Sequence, residues 1–131
     1  MDNTIHKIGG IILNNRKILV GLKKTKFIIP GGRIEKGETH SECLKRELKE
    51  ELDVEMLSHE YFDTFEDESA LEPGVKIRMD VYFATIKGKP KASMEIKELQ
   101  WVDSKNEKHL KMGSIIEHFV IPALVKKGLM D

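Results

Sequence analysis

The sequence predicts one mixed α/β domain. Three observations carry that reading: a capped helix with leucines every four residues, a strand with regular apolar and polar alternation, and two β-rich runs joined at asparagines. A chain of 131 residues is long enough to bury roughly two-thirds of its unfolded surface around one core. A single domain spanning 1–131 is therefore expected, with no repeat, low-complexity segment or linker dividing it.

Ile8 to Leu13 and Lys17 to Leu22 are the two β-rich runs, separated by Asn14-Asn15-Arg16. Asparagine tolerates left-handed backbone, so a hairpin is predicted there. A short basic stretch, Lys23 to Lys26, leads into Phe27-Ile28-Ile29 and the breaker Pro30-Gly31-Gly32, where a loop is expected to begin. Thr39 and Glu42 have the spacing of a capping box, and Leu44, Leu48 and Leu52 recur behind them, predicting a helix over about residues 40 to 52. Residues 54 to 67 show no clean period. Val75, Ile77, Met79, Val81 and Phe83 alternate with Lys76, Arg78, Asp80 and Tyr82, which predicts a strand with one buried face, Phe83 toward the core. With Glu72-Pro73-Gly74 as the turn, the two segments are expected to pair as a long hairpin. A polar loop follows from Lys87 to Ser93, then a short strand from Glu98 to Val102 carrying Trp101, the sole tryptophan. Ile115, Ile116, Phe119, Val120, Ala123 and Leu124 mark a last helical face, stopped near Lys126-Lys127-Gly128. Pro122 inside it predicts a kink or a late start.

Lysine plus arginine number 22, as do aspartate plus glutamate, so the net charge creates no general attraction for a polyanion. Nucleic-acid binding through Lys23 to Lys26 lacks interleaved aromatics and is not expected. No segment has the roughly 18 apolar residues of a membrane span. Met1-Asp2-Asn3-Thr4 lacks the basic and apolar runs of a secretory signal, and Cys43 is the lone cysteine; a cytoplasmic location is the expectation. His6, His40, His59, His109 and His118 show no metal-ligand spacing along the chain and are read as structural. Cys43 has no adjacent base that would make it a nucleophile.

What needs a chemical reason is the crowd of carboxylates between Glu35 and Asp53. Successive helical residues turn by about 100°, so with Leu44 at zero, Leu48 and Leu52 fall near about +40° and +80° while Glu51, Glu47 and Glu50 fall near about −20°, −60° and −120°. Three carboxylates thus form one arc beside the leucine stripe. Glu47 and Glu51 are a like-charge pair at four-residue spacing, unfavourable unless a cation offsets it. An oxygen-only set of this kind suits a hard divalent cation such as magnesium or manganese. Arg46, four residues before Glu50, is placed to orient that carboxylate.

Gly32, five residues, Glu38, seven residues, and then Arg46-Glu47-Leu48-Lys49-Glu50-Glu51-Leu52-Asp53-Val54 resembles the Nudix box almost position for position. The resemblance extends to the Phe27-to-Gly32 entry and to Glu95 through Asp103 with Trp101. Family members often carry tryptophan where Phe27 stands and glycine where Asp53 stands. Neither position is a ligand, and Asp53 is expected to adopt a left-handed turn at slight cost.

The resemblance to Nudix hydrolases, and to their small MutT-type members, implies an α/β/α sandwich with a mixed β-sheet and metal-dependent hydrolysis of a nucleoside diphosphate linkage. It implies Glu47, Glu50 and Glu51, with the Gly31 carbonyl, as ligands of Mg2+ or Mn2+, and Glu38 and Arg46 as residues that hold loop and helix in register. For the general base it leaves Glu47 and Glu95 open, with Glu98 close enough in sequence to compete with Glu95. The implied substrate is a small nucleotide, first a nucleoside triphosphate with an intact or oxidised base, cleaved to monophosphate and pyrophosphate. ADP-ribose, another nucleotide sugar, or a catalytically silent regulatory module are the alternatives, and a homodimer is left open.

Overall fold

The computed structural model describes residues 3–69 and 72–131; the Met1-Asp2 start lies outside them. Two four-stranded sheets form the centre. In the first, β1 (Thr4–Ile11) runs antiparallel to β5 (Gly31–Arg33) on one side and parallel to β7 (Lys76–Lys87) on the other. β6 (Glu55–Glu68) completes the order β5-β1-β7-β6. The mixed sheet is thereby present. In the second, β3 (Lys17–Lys23) pairs with both β2 (Leu13–Asn14) and β4 (Lys26–Ile28), and also with β8 (Ile96–Val102).

The hairpin predicted from Ile8 to Leu22 is shorter than expected. Asn15 and Arg16, at φ of 52° and 63°, make a tight turn of the kind that matches strand twist, but it joins only Leu13–Asn14 to β3. Ile8 to Ile11 belong to the other sheet, so the chain changes sheets at Ile12. Local alternation cannot reveal such a switch, because both halves of the run are equally apolar. Likewise, Pro30 does not open a loop directly: Gly31–Arg33 first adds β5 to the edge of β1. The β6–β7 hairpin forms as expected, from Glu68↔Lys76 to Glu55↔Lys87. Two register shifts in β6, between Met56 and Ser58 and between Tyr61 and Asp63, explain why residues 54 to 67 showed no period, since each bulge re-aims the following side chains.

The helix α1 (His40–Leu52) has the predicted capping box: the Thr39 hydroxyl accepts from the Glu42 amide at 3.1 Å, and the Glu42 carboxylate accepts from the Thr39 amide at 3.0 Å. It ends at Asp53 in the left-handed region (φ 53°, ψ 44°), where the aspartate also accepts from Lys49 at 2.9 Å. Leu44, Leu48 and Leu52 are buried with Ile8, Leu19 and Ala84 on one side of the sheets. On the other side Ile77, Met79 and Val81 pack with Ile116, Val120 and Leu124 of the last helical stretch. These two cores give the α/β/α layering. The last stretch is continuous over residues 114–126, passing through a π-helical turn, Ile116–Val120, into α2 (Ile121–Lys126). Ile121 donates to the Ile116 carbonyl. Pro122 has no amide to give, and the widened turn just before it absorbs the missing bond instead of a break.

Candidate active site

Burial of the leucine stripe sets the rotation of α1, and with it the carboxylates. Glu51 is 4% exposed, Glu47 has a largely covered side chain, and Glu50 remains open to solvent. Arg46 lies among their neighbours as a clamp. It donates to Glu38 at 2.6 and 3.0 Å, to Glu47 at 2.8 Å and to the Arg33 carbonyl at 3.2 Å. Its contact with Glu50 is longer, 3.4 Å, so the residue joins helix to loop more than it orients Glu50. The hydrogen bonds from Arg46 hold the Glu38 carboxyl down at about 2, and Glu38 in turn raises the guanidinium above its ordinary value.

The glycines that precede α1 let backbone and carboxylates approach. The Gly31 amide donates to Glu51 Oε1 at 2.8 Å. Gly31 sits at φ 150°, and a Cβ there would lie 2.1 Å from the Ile8 carbonyl oxygen; at Gly32 a Cβ would lie 2.5 Å from Glu47 Oε1. Only hydrogen fits at Gly31, against backbone, and at Gly32 a side chain would displace the Glu47 carboxylate.

Across from the helix stand cations. Lys23 Nζ is 4.0 Å from Glu51 Oε2 and 3.2 Å from Glu95 Oε2, linking the helix to the segment before β8. Lys7, Lys23, Arg33, Glu47, Glu50, Glu51 and Glu95 line one cleft of about 670 Å³. Burial raises the Glu51 carboxyl to about 7, despite the Gly31 amide that favours its charged form. Burial also raises Glu47, with Arg46 opposing it. Lys7 is lowered, by burial first and then by Lys23 and Arg33. Glu51 is thus a buried carboxylate without enough positive charge around it, beside two further carboxylates. The donor set fits a hard divalent cation, whose ligands here would be Glu47, Glu50 and Glu51.

Of the residues singled out in the sequence for the site, Glu47, Glu50, Glu51 and Glu95 line this cleft, and Gly31, Glu38 and Arg46 are hydrogen-bonded to its carboxylates or to one another. Glu98 does not; it is an exposed residue of β8 and accepts from Gln100 at 3.0 Å. Sequence reasoning missed Lys7 and Arg33, and gave Lys23 only as part of the basic stretch Lys23 to Lys26. Their signal was weak because each stands alone on a different strand. Three further residues it set aside, His6, His40 and Asp80, meet one another, and none of them lines the cleft. Asp80 is 5% exposed, although the alternation of β7 assigned it to the open face.

A family model described as NUDIX domain matches residues 6–120. Among solved structures, a MutT protein from Methanosarcina mazei superposes with a TM-score of 0.81 at 18% identity, covering 97% of this chain and 96% of that one. The ORF135 protein of E. coli superposes with a TM-score of 0.78 at 22% identity, covering 96% and 94%. A MutT protein from Bacillus halodurans gives 0.70 at 22%, covering 97% and 83%. No curated protein matches the chain. Among the described residues no helix is long and apolar enough to cross a membrane.

Proposed function

The chain belongs to the Nudix family, hydrolases that split the diphosphate linkage of nucleoside diphosphate derivatives, and on that premise we propose that it converts a nucleoside triphosphate, its base intact or oxidised, to monophosphate and pyrophosphate with Mg2+ or Mn2+. One observation carries this reading: Glu47, Glu50 and Glu51 share a cleft with Lys7, Lys23 and Arg33, so acidic ligands face cationic partners for a polyphosphate.

Glu47, Glu50 and Glu51 would hold the cation, with the Gly31 carbonyl as a further oxygen. A divalent ion supplies neutralisation of phosphate charge and makes water more acidic. The chain's own groups do the rest. Lys23, Lys7 and Arg33 attract and orient the phosphates, in a setting where fixed charges act more strongly than in water. Arg46, through Glu38 and the Arg33 carbonyl, keeps the glycine segment and α1 in register. Glu95 is our choice for the base that takes the proton from water, supported by its place in the cleft beside Lys23; Glu47 is the second candidate, supported by its raised carboxyl.

The test is a hydrolysis screen over nucleoside triphosphates, ADP-ribose, other nucleotide sugars and dinucleoside polyphosphates, with products separated by ion exchange. Monophosphate plus pyrophosphate from a triphosphate is expected. Release of inorganic phosphate alone, or faster cleavage of ADP-ribose, overturns the substrate class.

A further inference from the structure

On the far side of β1 from Lys7, three elements bring a second constellation together. His6 comes from β1, His40 from the first turn of α1 and Asp80 from β7. One ligand atom from each lies within 4.8 Å of the others. His6 Nε2 touches Asp80 Oδ2 directly, and His40 Nε2 stands 4.0 Å from the same oxygen. Burial works against charge on Asp80, yet hydrogen bonds from Thr64 and His6 hold its carboxyl below the usual range.

The surroundings are those of a ligand set with its supports. Thr64 Oγ1 donates to the other Asp80 oxygen, and Tyr61 reaches Thr64 at 2.6 Å. His40 Nδ1 lies 2.7 Å from the Tyr82 hydroxyl. When Nδ1–H donates to that hydroxyl, the bare Nε2 faces Asp80 too far away for a hydrogen bond. Two electron-rich atoms then face each other with room for a cation between them. Such outer partners orient metal-bound histidines and carboxylates. Two imidazoles and one carboxylate match zinc-class ions and not magnesium. Bonds of about 2.0 Å in a tetrahedron put ligand atoms about 3.3 Å apart, so the direct His6 contact opens and the His40 gap closes by about 0.7 Å. The histidine side chains are 37% and 39% exposed, which leaves freedom for that shift and a fourth position facing solvent.

We propose that His6, His40 and Asp80 form a site for a transition-metal cation of the zinc class, separate from the carboxylate cleft, tying the start of α1 to the centre of the mixed sheet.

The full chain, saturated with magnesium to occupy the carboxylates, is titrated with cobalt(II) near neutral pH. One equivalent is expected to give the visible absorption of a tetrahedral complex, which zinc displaces. His6→Gln and His40→Gln should weaken binding by more than tenfold, and Tyr82→Phe by roughly tenfold, the scale of a lost outer partner. Absence of a complex in the unmutated protein, or a complex unchanged in both histidine variants, overturns the proposal. The unmutated protein supplies an independent arm in case a variant fails to fold. On zinc addition the His6 and His40 ring resonances should shift together while those of His109 and His118 stay in place. Shifts confined to His109 or His118 overturn it equally.

Discussion

The carboxylate cleft and the histidine cluster share α1 and β1 but are built in opposite ways. The cleft takes Glu47, Glu50 and Glu51 from little more than one turn of helix, and β1 contributes Lys7 to it. The cluster takes one residue from each of three elements, including His6, the neighbour of Lys7 that points to the other face of the strand. Their electrostatics differ too. Asp80 is buried among partners that favour its charge, whereas Glu51 is buried with too few, and burial dominates it. A buried carboxylate can thus be either satisfied by its own fold or left dependent on something bound. On the proposed function, Glu51 is the second kind.

Removing divalent cations tests that dependence most severely. Excess chelator should abolish hydrolysis, and restored magnesium or manganese should recover it; full turnover in chelator would make the Glu51 environment self-sufficient like that of Asp80. The next largest effect is expected at Glu95. If Glu95 takes the proton, Glu95→Gln lowers turnover by a factor of about 100 to 10,000, while Glu98→Gln, outside the cleft, leaves it unchanged. Rates measured side by side over a range of pH decide this, and a silent Glu95 with a normal Glu98 moves the role to Glu47.

A third measurement compares the two carboxylates through stability. Glu51 stands at about 7 in the fold against an ordinary 4.5. Between those values the folded chain keeps a proton the unfolded chain has lost, so Glu51 makes cation-free stability fall as pH rises through that window, by about 3 kcal/mol at most. A bound cation removes the burden. The rise in Tm on adding magnesium should therefore be larger near about pH 8 than near about pH 5.5, where protons compete for the same oxygens. Asp80, with its lowered carboxyl, contributes in the opposite sense, stabilising above its unfolded value and losing that contribution on acidification. An equal magnesium shift at both pH values would contradict the assignment of Glu51. The smallest effect is expected at the helix start common to both regions: Thr39→Ala removes the cap and should cost about 1 kcal/mol of unfolding free energy, read by denaturant titration, with the slope unchanged.

Much of this was legible along the chain. The capping box, the leucine stripe, the arc of Glu47, Glu50 and Glu51 and the alternation of β7 all depend on neighbours within a few residues, and helix and strand geometry converts that spacing directly into a shared face. The left-handed end at Asp53 followed from the resemblance, which puts glycine at that position, and from the tolerance of aspartate for that conformation. By contrast, the division of Ile8 to Leu13 between two sheets, the parallel pairing of β1 with β7, the bulges of β6, the π-helical turn before Pro122 and the burial of Asp80 came only from tertiary structure. So did the meeting of His6, His40 and Asp80, and the approach of Lys23 to both Glu51 and Glu95. The reason is physical: a periodic pattern says which side of an element is apolar, but partners more than a turn or a hairpin away are chosen by packing the whole core, and a polar residue such as Asp80 is carried inside only because that packing brings His6, 74 residues earlier in the chain, to meet it.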